Sequence, residues 1–206
     1  MPGKLISFEG VDGVGKTTQV EWARRWLTAL GMTVTVVQEP GSTPLGTAVR
    51  QLLLDGPPIA SARAEALLFA AARAELVETV VRPALARGEV VLADRFVDST
   101  WAYQVYGRGL DAGWVEAVHR GFLEGVWPDG TIWLEGQPHR TLDQDRMERE
   151  PEPFRRRVEA GYAALMQAEP YRWVRIAADG SPAEVFSAVQ AALRRWLSIP
   201  EEEARP

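Results

Sequence analysis

The sequence predicts a three-layer α/β fold, a five-stranded parallel sheet with helices on both faces. Two observations predict it. Five short apolar runs recur along the chain, at residues 5–9, 33–37, 90–94, 131–135 and 173–177. They are mostly continuous rather than alternating, as strands buried on both faces of a sheet should be. Helical stretches separate them, giving the repeated β-α order of a parallel sheet.

The elements follow in order. The first run leads into a glycine-rich turn and then a helix over about 16–30, with Gly31 placed to end it. The stretch 62–81 is strongly helical, and Pro83 is expected to interrupt it. Ser181-Pro182-Ala183-Glu184 opens the last helix as a capping box with proline at its first position. The tail after Pro200 is acidic. No internal repeat or linker is visible, so residues 1–206 are expected to form one domain.

At 206 residues, the chain can bury one substantial core but not two comfortable ones. Its 46% apolar and 25% charged content is that of an ordinary globular protein. With no cysteine, disulfides, thiolate metal sites and a thiol nucleophile are excluded. A net charge of −5 argues against a long polyanion such as nucleic acid as partner, while a small anion held by local cations stays open. There is no run of eighteen apolar residues for a membrane span, and the first residues lack a signal peptide's charged and apolar regions. The cytoplasm is the expected compartment. Nearly all the positive charge is arginine, so Lys16, one of two lysines, stands out.

One segment does not read as core. Between 137 and 157 lie Arg140, Arg146, Arg149 and Arg155 to Arg157, with Glu148, Glu150 and Glu152 interleaved and prolines at 151 and 153. A solvated helix pair is one reading; a mobile lid is the other.

Gly10-Val11-Asp12-Gly13-Val14-Gly15-Lys16-Thr17 fits G-x-x-x-x-G-K-[ST] without a gap, between the first strand and the first helix. Glycines at 10, 13 and 15 let backbone N–H groups close on phosphate oxygens. The helix that starts there adds the positive end of its dipole. Lys16 is placed for the β- and γ-phosphates and the Thr17 hydroxyl for Mg²⁺. The alternative is a glycine-rich turn with a surface lysine. With this motif the α/β class becomes the P-loop NTPase fold.

Asp94-Arg95 closes the third apolar run. An acid leaving a buried strand at the sheet's carboxyl edge can orient metal-bound water, and the arginine offers a planar fork to a second phosphate. A local salt bridge explains the pair equally well.

The segment from Phe8 to Gln19, through Thr18, resembles the opening of bacterial thymidylate kinases. The resemblance continues through Glu39-Pro40-Gly41-Ser42-Thr43, Leu68-Phe69-Ala70-Ala71-Ala72-Arg73, Asp94-Arg95-Phe96, Ser99-Thr100-Trp101-Ala102-Tyr103-Gln104 and Gly107-Arg108-Gly109. It implies transfer of the γ-phosphoryl of ATP to thymidine 5′-monophosphate (dTMP), with Mg²⁺, in a homodimer packed through helices. It implies that Asp12 accepts from the sugar 3′-hydroxyl, Phe69 stacks on thymine, and Arg73 donates to thymine O4. Positions 69 and 73 do share a helix face. An arginine there would reject cytosine, whose amino group would face donor to donor. Thr100 is implied to read the N3 edge, Tyr103 to pack under the deoxyribose, and Gln104 to lie near the base. Arg95 is implied to hold the acceptor phosphate, with Arg50 beside it. Glu39 and Ser99 complete the expected set.

No catalytic base is expected, because a phosphomonoester with its second pKa near 6 is already largely ionised at neutral pH. Cations should carry the reaction: Lys16, Arg95, Mg²⁺ and a lid arginine, with Arg146 the best match and Arg140 and Arg149 as alternatives. His119 and His139 lie outside every motif and read as incidental surface residues. Gln38 and Ser42 stand where relatives carry arginine and glycine. A nucleoside kinase on the same fold would need a carboxylate base, for which Glu39 is the candidate. A switch GTPase would need an Asn-Lys-x-Asp motif, which the sequence lacks.

Overall fold

The computed structural model describes residues 3–137 and 150–200. Strands β1 (Lys4–Glu9), β2 (Val34–Gln38), β3 (Val90–Asp94), β4 (Gly130–Glu135) and β5 (Trp173–Ala177) form one sheet in the order β2-β3-β1-β4-β5. Every pairing is parallel. The register sets Phe8 beside Asp94 and Glu9 beside Trp133, so the segments leaving β1 and β3 emerge as neighbours. Strand order reverses at β1, where ligands collect in open α/β sheets.

The alternation of β1 divides the core. Ile6 and Phe8 point to a layer with Val20, Ala23 and Leu27 of α1 (Lys16–Ala29) and Val189 and Leu193 of α8 (Pro182–Leu197). Leu5 points to the opposite layer with Leu76, Val77, Val81 and Phe96. Ser7 and Glu9 share the Leu5 face and lie fully buried.

Between β2 and β3 run α2 (Pro44–Leu54), capped by the Thr43 side chain, and α3 (Ala62–Leu76), capped by Ser61. Contrary to expectation, Pro83 does not interrupt the helix that α3 begins. A π-helical stretch, Val77–Val81, joins α3 to α4 (Arg82–Ala86), and Pro83 sits in the first turn of α4, where a missing N–H is tolerated. Gly31, at φ 82°, follows α1 as expected of a terminating glycine.

Past β3, α5 (Val97–Thr100) widens into a second π-helical stretch, Trp101–Gly107. It is followed by α6 (Ala112–Leu123) and, after β4, by α7 (Glu152–Ala168). The C-terminal part of the proposed lid is thus the first turn of α7. Arg140, Arg146, Arg149 and His139 lie outside the described residues. Among the described residues no helix is long and apolar enough to cross a membrane.

Candidate active site

The loop between β1 and α1 is built as its glycines imply. Gly10 holds φ 136°, and a Cβ there would sit 2.4 Å from the Leu134 carbonyl oxygen. Only glycine fits that approach. Lys16 turns back over the loop, donating to the Gly10 carbonyl at 3.0 Å and the Val11 carbonyl at 2.8 Å, with Asp12 at 3.5 Å. Burial, and then the Arg95 charge, push its pKa down, while Asp12, Asp94 and Glu9 oppose them. Thr17 donates from Oγ1 to Asp94 Oδ2 at 2.6 Å. The two residues assigned to metal therefore meet, although 77 positions separate them. Oxygen donors of this kind suit a hard divalent cation. Gly13, Val14, Gly15 and Thr18 line the same open cleft with Gln38, Ala178 and Pro182.

Arg95 is the hinge of the site. It leaves β3 with φ 70°, a conformation costing a non-glycine residue roughly 1–3 kcal/mol. Its Nη2 donates to Asp12 Oδ1 at 2.7 Å and to the Tyr103 hydroxyl at 3.2 Å. Its Nη1 donates to Ser99 Oγ at 3.1 Å and Tyr162 Oη at 3.3 Å. The guanidinium also lies 5.1 Å over the Tyr103 ring. Burial works to raise the Asp12 pKa, but Arg95 and then Lys16 hold it well below the usual carboxylate range. Burial alone would lower the pKa of Arg95; Asp12, Tyr103, Tyr162 and Glu9 together outweigh it, and the arginine stays charged.

A second, narrower cavity lies beside this cleft. Phe69, Arg73, Ser99, Thr100, Tyr103 and Gln104 line it. Asp12, Glu39, Arg50 and Arg95 line both the cavity and the cleft, so the two spaces share a wall. Every residue assigned to acceptor binding is there. Arg50 of α2 donates to the Pro40 carbonyl at 3.1 Å. Gln104 gives its amide N–H to Glu65 at 3.2 Å, and Arg108 grips both oxygens of Glu65 at 3.1 Å.

Arg73 is almost wholly buried, at 2% exposure. Nε donates to Glu39 Oε2 at 2.7 Å, and Nη2 lies 2.5 Å from the same oxygen. Nη2 also donates to the Phe96 carbonyl at 3.2 Å, and Nη1 to Thr100 Oγ1 at 2.7 Å. Nη1 stands 3.0 Å from His119 Nε2. His119 is thus not an incidental surface residue: it is 1% exposed and touches the arginine assigned to the base. Nothing in the local sequence signals this, since the contact spans 46 positions. Glu39, tied to Arg73, has its pKa raised by burial, and its Oε1 is buried without a partner among the described residues.

Two further residues were missed. Glu9 accepts from Ser7 Oγ at 2.6 Å and the Phe96 N–H at 2.9 Å through Oε1, and from Ser99 Oγ at 2.5 Å and Tyr162 Oη at 3.0 Å through Oε2. Burial, then Asp98, raise its pKa. An acid ending a buried strand one residue before the glycine motif was the signal available. Tyr162, from α7, had none.

Both the sequence and the fold have counterparts among known proteins. A sequence model described as thymidylate kinase matches residues 8–189. The chain belongs to the thymidylate kinase family. It is 47% identical over 206 residues to the thymidylate kinase of Bifidobacterium longum subsp. infantis, covering 96% of this chain and 88% of that one. It is 49% identical to that of Synechococcus sp., covering 95% and 93%. The crystal structure of thymidylate kinase from Ehrlichia chaffeensis matches with a TM-score of 0.79 at 31% identity, covering 93% of this chain and 98% of that one. Both family and fold agree with the expectation from the motifs.

Proposed function

We propose that the chain transfers the γ-phosphoryl of ATP to dTMP, giving dTDP and ADP. The observation that carries this is the shared wall: one cavity has a phosphate loop, its neighbour is lined by an aromatic ring, Phe69, and a buried arginine, Arg73, on one helix, and Asp12, Arg50 and Arg95 face both. ATP lies in the cleft with its phosphates on the loop amides and Lys16. The acceptor lies in the cavity, Phe69 against the base and Tyr103 against the sugar, its phosphate drawn to Arg95 and Arg50. Asp12, an ionised acceptor, takes the sugar 3′-hydroxyl.

Recognition of the base falls to Arg73 and Thr100. The Nη1 hydrogen that Thr100 now receives lies at the cavity wall, where a pyrimidine O4 takes it over. The acceptor phosphate needs no base, so the site's task is alignment and charge. Arg95, charged and fixed by Asp12, Ser99 and Tyr162, holds the nucleophilic oxygen in line. Lys16 draws the γ-phosphoryl's oxygens, and a lid arginine, Arg146 ahead of Arg140 and Arg149, completes the cation set. Thr17 and Asp94 would hold Mg²⁺, which supplies charge neutralisation on the β- and γ-phosphates when bound.

A homodimer through α3 belongs to the same reading, with Leu67 47% exposed on that helix. So does a cytoplasmic location. A coupled ADP-release assay across nucleoside monophosphates and thymidine tests the assignment. dTMP should be the best acceptor; preference for uridine, cytidine or guanosine monophosphate, or for the nucleoside, overturns it.

A further inference from the structure

We propose that His119 is a positioning residue for base selection, clamping the Arg73 guanidinium in the plane from which it reads a pyrimidine carbonyl. The proposal rests on the assignment of Arg73 to the acceptor's base.

The partners of His119 fix its chemistry. Nδ1 lies 2.8 Å from the Val115 carbonyl, one helical turn back on α6, and a carbonyl can only accept. Nδ1 therefore carries the ring hydrogen. Nε2 faces Arg73 Nη1 at 3.0 Å, and a guanidinium can only donate, so Nε2 presents a lone pair. The imidazole is neutral and in one tautomer. Aromatic neighbours fix its plane: Trp101 at 5.6 Å between ring centroids and Phe122 at 5.2 Å.

Nη1 has two hydrogens with different fates. One is given to Thr100 at the cavity wall and is available for exchange with a ligand. The other is given to His119, on a residue that does not line the cavity. On the far edge, Glu39 and the Phe96 carbonyl hold Nε and Nη2. His119 is the acceptor that holds the Nη1 corner of the planar guanidinium in place when the Thr100 bond is surrendered. Without it, a buried N–H loses its partner at the atom meant for the base, and the guanidinium can shift toward the cavity.

The full chain is assayed at steady state with ATP and with dTMP or dCMP, as His119→Ala, His119→Gln and His119→Leu. Gln keeps a carbonyl acceptor near the position of Nε2, whereas Leu keeps only bulk. His119→Ala should raise KM for dTMP about tenfold, the loss of one good hydrogen bond, leave KM for ATP unchanged and narrow the preference for dTMP over dCMP. Gln should recover most of this and Leu none. The idea is overturned if Leu recovers as well as Gln, or if Ala leaves KM for dTMP and the preference untouched. Should the Ala form not fold by circular dichroism, the volume-filling Gln and Leu forms decide alone. Arg73→Gln separates the two assignments. If it leaves dTMP use at the wild-type level, the base-reading role itself falls; if it collapses dTMP use while His119→Ala does not, only the role of His119 falls.

Discussion

Thr17 Oγ1 donates to Asp94 Oδ2 at 2.6 Å, joining the first turn of α1 to the last residue of β3. With its hydrogen committed to the carboxylate, the hydroxyl turns its lone pairs away from Asp94, and a cation beside it would meet two oxygens at once. Chelation of divalent metal should abolish transfer. Thr17→Val, close in shape but without the oxygen, should raise the Mg²⁺ concentration giving half-maximal rate by about tenfold, the equivalent of one lost contact. A magnesium titration at saturating ATP and dTMP checks this, and an unchanged midpoint would remove Thr17 from the metal site.

Gly10→Ala should disable the loop more than any exposed glycine change would. The added methyl meets the Leu134 carbonyl at 2.4 Å, at a φ of 136° that an L-side chain rarely adopts. Strain of roughly 1–3 kcal/mol is expected, and more if the contact forces β1 from β4. Thermal unfolding gives the stability, and titration with ATP the loop's competence; both should fall.

Arg95→Met keeps most of the side chain's length while removing the cation and every hydrogen bond to Asp12, Ser99, Tyr103 and Tyr162. Loss of about 10²–10³ in kcat/KM for dTMP is expected, the scale for removing one aligned donor from a reacting charge. KM for ATP should move far less. A comparable effect on both substrates would make Arg95 a general scaffold rather than the acceptor's anchor.

Arg73→Ala should harm dTMP use far more than ATP binding, and it carries a stability cost. Removing one partner of a buried ion pair leaves the other uncompensated, at roughly 3–5 kcal/mol. Glu39, whose pKa burial already raises, can soften this by taking a proton. Glu39→Gln on top of Arg73→Ala should therefore recover part of the lost stability. Chemical denaturation of the single and double forms measures the coupling, and strict additivity would mean that the pair is not energetically linked.

His119 makes stability depend on acidity. Burial, and then Arg73, lower its pKa to about 4, against 6.5 for the free side chain. Between those values the unfolded chain binds a proton that the folded chain refuses, so acid favours unfolding there. The contribution is complete above pH 6.5, is lost as pH falls towards 4, and amounts to about 3 kcal/mol. Melting curves across that range should show His119→Gln losing less stability with acid than the wild type. Parallel slopes would mean that the histidine charges normally in the fold.

The sheet and the phosphate loop were legible because each is written locally: apolar runs set the strands, and eight consecutive residues set the loop. The acceptor cavity was legible only through resemblance, since Phe69 and Arg73 supply a shared helix face and no more. Pro83 misled because sequence marks a missing N–H but not the wide turn of residues 77–81 before it. Glu9 was within reach, an acid at a strand end beside the motif. His119 and Tyr162 were not, because what gives them meaning is an approach by residues 46 and 67 positions away.

Asp12 belongs to the loop that would cradle one nucleotide and grips the arginine that would anchor the other. Occupancy on one side should therefore be felt on the other if the bound nucleotide draws charge from Asp12 and so alters the field at Arg95. Thermodynamic linkage makes that influence mutual: if a filled donor site changes dTMP affinity by some factor, bound dTMP changes ATP affinity by the same factor. The two substrates would in this sense be effectors of each other, communicating across the wall that Asp12 shares with Arg95.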